Sequence, residues 1–114
     1  MWICSQLGFF SIVRKEGFFH VRARTREDLV SLQTAADVST EIEEWPQADY
    51  RWRIRVRQKE LSRIYKALES SVDYPNFKSR IASLPDQEDK LLAYSRLWHN
   101  LAELQCKSDL IKTP

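Results

Sequence analysis

The apolar residues of this chain recur at two spacings, and each spacing predicts a different kind of element. Residues 9–14 (Phe-Phe-Ser-Ile-Val-Arg) are rich in aromatic and β-branched side chains and predict a strand. Lys15-Glu16-Gly17 follows, and Gly17 can take the positive φ that a tight hairpin turn requires. From Phe18 to Arg24 the pattern alternates, with Phe19, Val21 and Ala23 on one side and Phe18, His20, Arg22 and Arg24 on the other. A two-residue loop at Glu16-Gly17 sets Ile12 opposite Val21 and Phe10 opposite Ala23, which gathers the apolar residues on one face. The longest alternation lies at 50–57. There Tyr50, Trp52, Ile54 and Val56 are predicted to cover a core, while Arg51, Arg53, Arg55 and Arg57 point out from the other face. Residues 40–45 predict a further short strand stopped by Pro46.

The remaining segments follow helical spacing. Thr25 is a good N-cap, followed by Glu27 and Asp28 where acids suit the helix dipole, with Leu29, Leu32 and Ala36 as the buried stripe. Residues 34–40 read as a loop. Leu61, Ile64, Tyr65 and Leu68 predict a helix over 58–70. Asp73-Tyr74-Pro75 predicts a new helix start with Pro75 near its first position, and Phe77, Ile81 and Leu84 line its inner side. Pro85-Asp86 ends that helix and caps a last one of about 20 residues, with Leu91, Tyr94, Leu97, Trp98, Leu101 and Leu104 as its apolar positions. The width of that apolar face predicts burial on two sides or a homodimer contact through the C-terminal helix. The sum is an α+β fold: an antiparallel sheet of three or four strands with helices packed on one face, in the order ββα(β)βααα, as one domain over 1–114.

Composition agrees with a packed core, since hydrophobic residues are 43% of 114 and Gly and Pro number only two and four. Trp45, Trp52 and Trp98 are most simply core residues. No basic lead precedes an apolar run at the N-terminus, and no stretch approaches the roughly 18 apolar residues of a membrane span, so a cytoplasmic location is expected. In that compartment Cys4 and Cys106 are expected to be free thiols. The formal net charge of +2 conceals segregation. Residues 27–49 hold seven acids and no base, while residues 50–66 hold seven bases and one acid. Such blocks predict either pairing within the fold or a polarised surface.

Several phrases resemble a family of small uncharacterised bacterial proteins across nearly the whole chain. They are Met1-Trp2-Ile3, Gly8-Phe9-Phe10-Ser11-Ile12-Val13, Val21-Arg22-Ala23-Arg24, Ala48-Asp49-Tyr50-Arg51-Trp52-Arg53-Ile54, Asp73-Tyr74-Pro75-Asn76-Phe77-Lys78 and Tyr94-Ser95-Arg96-Leu97-Trp98. The resemblance implies a bacterial single-domain protein and no particular activity.

Most chemistry-bearing patterns are missing. There is no Gly-x-Ser-x-Gly elbow, and two glycines cannot build a phosphate loop or dinucleotide fingerprint. The pairs His99/Cys106 and Cys4/His20 lack the close spacing of a zinc site, so no metal and no cofactor are expected. What stands out is the arginine ladder. If the hairpin and the 50–57 strand share a sheet, its outer face gathers His20, Arg22, Arg24, Arg51, Arg53, Arg55 and Arg57 beside Phe9 and Phe18. This combination suits an acidic protein partner, because Arg and aromatic residues dominate interface hot spots. It also suits single-stranded nucleic acid, whose bases stack and whose phosphates pair. A third reading is internal neutralisation by Glu41, Glu43 and Glu44. The leading functional reading is a non-catalytic binding protein, of a size that would fit a mobile-element or defence-related inhibitor. Nucleic-acid binding through the same face comes second, and an enzyme with an unrecognised site third.

Overall fold

A computed structural model of the chain describes the backbone of residues 1–112 and side chains through residue 106. The chain forms two compact units, residues 1–73 and 74–114.

The first unit is a five-stranded antiparallel sheet with two helices on one face. Strands β1 (Trp2–Ser5), β2 (Gly8–Lys15), β3 (Phe18–Ala23), β4 (Glu43–Glu44) and β5 (Trp52–Val56) lie in the order β1-β2-β3-β5-β4. The β2–β3 hairpin has the expected register, with Ile12 opposite Val21 and Lys15 opposite Phe18. Its two-residue loop takes φ of 55° at Glu16 and 79° at Gly17, the left-handed pair that matches strand twist. Helices α1 (Arg26–Ala36) and α2 (Gln58–Ser70) cover the inner face. The core between sheet and helices is Phe10, Ile12, Val21, Ala23, Ile54 and Val56 below Leu29, Leu32, Leu61, Ile64 and Leu68.

The sheet has five strands, not three or four. The added strand is β1, which pairs with β2 from Trp2 opposite Ser11 to Ser5 opposite Gly8. Its sequence is short and does not alternate clearly, so it rests on pairing and not on local pattern. The β1–β2 turn is closed by Ser5, whose Oγ donates to the Gly8 carbonyl at 2.9 Å and accepts from Leu7 N–H at 3.2 Å. Gly8 has a φ of 144°, and a Cβ there would come within 2.5 Å of Asp28 Cγ. The absent side chain lets Asp28 approach the strand and accept from Phe9 N–H at 3.1 Å. Thr25 caps α1 as expected, its Oγ1 accepting from Asp28 N–H at 3.4 Å. Strand β4 is only two residues long, shorter than the 40–45 strand that was expected.

The second unit holds α3 (Phe77–Ser83), a short 3₁₀ turn (Pro85–Gln87) and α4 (Glu88–Lys112). Helix α3 starts at Phe77 and not near Pro75, because Asn76 is its cap: Asn76 Oδ1 accepts from Ser79 N–H at 2.9 Å. Ile81 and Tyr94 are buried, and Phe77 stacks on Tyr94 with ring centroids 5.3 Å apart. Trp98, expected in the core, is 53% exposed, and Leu101 and Leu104 are exposed with it. Lys78 of α3 lies over the Trp98 ring at 4.2 Å, so that exposed ring meets a cation and not a packed apolar neighbour on this side. Among the described residues, no helix is long and apolar enough to cross a membrane.

Candidate functional site: the arginine-bearing sheet face

Side chains on β2, β3 and β5 that point away from the helices form one field. Cross-strand register sets Ser11 opposite Arg22, Arg22 opposite Arg53, and Arg53 opposite Glu43. One step along the strands, Val13 lies opposite His20 and His20 opposite Arg55. The sheet therefore brings His20, Arg22, Arg53 and Arg55 together as the alternation predicts. Phe9 and Phe18 lie on the same side, half-buried. Arg24, Arg51 and Arg57 flank the strands and are exposed.

Two of the predicted site residues are not at the surface. Arg53 is 2% exposed and His20 is 0% exposed. The reason is the segment between β4 and β5. Trp45 N–H donates to the Arg51 carbonyl at 2.6 Å and Ala48 N–H to the Trp45 carbonyl at 3.0 Å, which turns residues 45–50 back over the sheet. The Trp45 ring then lies 3.9 Å from the Arg53 guanidinium carbon and meets His20 edge-on at 6.1 Å. Tyr50 was expected to face the core with Trp52, Ile54 and Val56. It precedes β5 and is buried instead on the arginine side, its ring 4.7 Å from the guanidinium carbon of Arg22 and 4.3 Å from that of Arg24. Trp52, Ile54 and Val56 do face the core, with Trp52 half-buried.

The field is only partly neutralised from within. Glu43 Oε2 accepts from Arg55 Nε at 2.6 Å, and Glu44 Oε2 from Arg51 Nε at 2.7 Å. Asp49 lies 3.9 Å from Arg24. Glu41, also considered as a neutralising acid, makes no ion pair among the described residues. Burial alone would raise the Glu43 pKa, but hydrogen bonds from Arg55 and Trp45 outweigh it and hold the carboxyl below its usual value. Arg57 and Lys15 have no ion pair among the described residues. Arg57 lies over the Phe18 ring at 4.4 Å and Lys15 over Trp45 at 6.0 Å.

The centre of the field is unusual chemically. Arg53 and Arg22 are two cations directly opposite each other, and neither is bonded to a carboxylate. Arg53 Nη1 donates to His20 Nδ1 at 3.2 Å and Nη2 to the Tyr50 carbonyl at 3.4 Å. Arg22 Nη2 donates to Ser11 Oγ at 2.7 Å. A guanidinium has no acceptor, so His20 Nδ1 must be unprotonated and the imidazole proton sits on Nε2. Burial, and then the charge of Arg53, lower the His20 pKa and keep the ring neutral. Burial, and then Arg22, likewise lower the Arg53 pKa, though a guanidinium stays charged.

Sequence reasoning missed Trp45, Tyr50 and Ser11 as parts of this field. A signal was present: two aromatics bracket Pro46-Gln47-Ala48-Asp49, a turn-rich stretch too short to leave the sheet. Cys4 and Cys106 are free thiols, and burial raises the Cys4 pKa. Among the described residues no three His, Cys, Asp or Glu side chains converge as metal ligands would. Compared with family models, curated proteins and solved structures, the chain matches none.

Proposed function

We propose that the outer sheet face docks an acidic protein, with exposed Arg24, Arg51, Arg55 and Arg57 as its contact rim and Phe9 and Phe18 beside them. The observation that carries this reading is the stacking of exposed guanidiniums on fixed rings: Arg57 on Phe18 and Arg24 on Tyr50. A guanidinium held over an aromatic ring has already given up part of its rotamer freedom; Arg57 makes no ion pair among the described residues, while Arg24 Nη1 also donates to the Asp49 carbonyl at 3.1 Å. Such a group can take a carboxylate in a two-pronged bond at a smaller entropic cost than a free lysine.

The same stacking favours a protein over single-stranded nucleic acid. Base stacking needs open ring faces. Here Phe18, Tyr50 and Trp45 each carry a cation, and Tyr50 is buried. Trp2, at 71% exposure and with its ring 6.4 Å from Phe9, is an open ring at this side of the sheet and is a natural apolar anchor for a protein surface.

The test is a charge reversal at exposed positions, Arg24→Glu with Arg57→Glu, probed with a poly-glutamate peptide and a single-stranded oligonucleotide. The expected result is an unchanged circular dichroism spectrum, binding of the peptide by the unmodified chain that weakens with salt, and its loss in the double variant. Stronger binding of the oligonucleotide, with log affinity linear in log salt, would move the reading to nucleic acid. No binding of either probe by the unmodified chain would remove the proposal.

A further inference from the structure

Three buried side-chain atoms at the centre of the outer face have no hydrogen-bond partner: Arg22 Nε, Arg53 Nε and His20 Nε2. All three are donors, since the bond from Arg53 assigns the His20 proton to Nε2. No orphaned side-chain acceptor accompanies them among the described residues of the first unit. A buried cluster in which two like charges face each other, with every unsatisfied group a donor, lacks one kind of chemistry: an anion. Glu43, the carboxylate opposite Arg53, does not supply it, because its oxygens are held by Arg55 and by Trp45 Nε1.

We propose that Arg22, Arg53 and His20, floored by Ser11, form a binding site for a small oxyanion, a phosphate or a carboxylate, and that residues 45–50 are its movable cover. Trp45 and Tyr50 contribute the rings over the site, while Pro46, Gln47 and Asp49 between them are exposed turn residues. Moving the Trp45 ring uncovers Arg53 and His20 together, since it contacts both. An anion entering there meets the Arg53 guanidinium already stripped of water and the half-buried Arg22 beside it, so its charge-assisted bond to Arg53 forms in a low-dielectric setting without a further desolvation of that residue. The inference extends the chemistry of this face and does not depend on its having a protein partner.

The experiment is a titration of the unmodified chain, in phosphate-free buffer, with inorganic phosphate and separately with sodium acetate, read from arginine Nε–H and histidine side-chain NMR signals. Chloride at equal ionic strength is the reference. The site predicts saturable shifts at Arg22, Arg53 and His20 for at least one oxyanion, and the more effective one identifies whether phosphate or carboxylate is the natural group. Arg53→Met is expected to weaken that binding by roughly tenfold or more, and Trp45→Ala to strengthen it severalfold by removing the cover. Shifts confined to exposed Arg24, Arg51, Arg55 and Arg57, or equal responses to chloride, would overturn the site. Should Arg53→Met fail to fold, the titration of the unmodified chain decides alone. Because no protein partner enters the measurement, its failure leaves the acidic-partner reading standing, and the reverse holds too.

Discussion

Ile54 and Arg53 are consecutive residues of one strand, both shut off from water, yet they are buried by different means. Ile54 points into an apolar core closed by two helices, where any loss of volume leaves a void. Arg53 points the other way, onto a face no helix of the first unit covers, and is hidden by a single indole ring and a turn. Burial on the inner face is a product of the hydrophobic effect and contributes stability in proportion to apolar area. The outer face holds two facing cations, Arg53 buried and Arg22 half-buried, without a bonded carboxylate, an arrangement that adds little stability. The first kind of face holds the fold; the second carries the proposed site.

That contrast is sharpest under truncation. Ile54→Ala is expected to lower the unfolding free energy by about 2–5 kcal/mol, because the helices above it relax only partly into the cavity. Urea unfolding followed by circular dichroism measures it. A loss well under 1 kcal/mol would mean that the inner face is not the rigid partner in the comparison. Next in size is Gly8→Ala, expected to cost about 1–3 kcal/mol. Its Cβ would meet Asp28 and its φ of 144° disfavours any side chain. Both effects would separate β2 from the cap of α1, so the same urea midpoint should fall while the outer-face signals of Arg22 and Arg53 stay unchanged.

The two faces were also unequally legible from sequence. Alternation assigned nearly every strand residue to its correct side: Phe19, Val21, Ala23, Trp52, Ile54 and Val56 in, and His20, Arg22, Arg53 and Arg55 out. It reports direction relative to the sheet, which is a local property of a pleated chain. It does not report whether something non-local lies on top. Arg53 and His20 were therefore expected at the surface and are buried, because Trp45 arrives from a neighbouring segment. Tyr50 was misplaced for a related reason: it continues the period of β5 in sequence but lies outside the paired strand, where the pleat no longer dictates direction. Strand β1 went unread because four residues carry too little pattern, and its pairing with β2 supplies the rest.

A pH series probes the outer face without mutation. The His20 pKa is lowered below its ordinary value of 6.5 by burial and by Arg53. An unfolded chain takes up a proton as pH falls through about 6.5, whereas the folded chain does not, so the unfolded state binds more protons and stability falls with falling pH. One such group contributes a slope of up to about 1.4 kcal/mol per pH unit, which levels off below the folded pKa. His20→Gln, whose side-chain carbonyl can still accept from Arg53, should flatten the curve between pH 6.5 and that point. The contribution of Glu43 lies in a separate window, below its ordinary value of 4.5, because its folded pKa is lowered too. A stability curve flat from pH 7 to 5 in the unmodified chain would show that His20 protonates freely and is not enclosed as described.

The smallest expected effect is the most informative one. Arg53→Met exchanges a fully buried residue for one of similar length, one position from Ile54, and is expected to change the unfolding free energy by less than about 1 kcal/mol in anion-free buffer. The exchange gives up a bond to His20 Nδ1, a long one to the Tyr50 carbonyl at 3.4 Å and a cation–ring contact with Trp45. It also removes a desolvated charge and its repulsion with Arg22 and Arg55, the two causes besides burial that depress the Arg53 pKa. The methionine keeps an apolar contact with the indole, and His20 can move its proton to Nδ1 and turn that atom toward the backbone or water. A loss of 3 kcal/mol or more would place Arg53 among the residues that hold the fold, on a par with Ile54, and would erase the distinction between the two faces. A near-neutral result, set beside the loss at Ile54, separates burial that stabilises from burial that keeps a charged group in reserve.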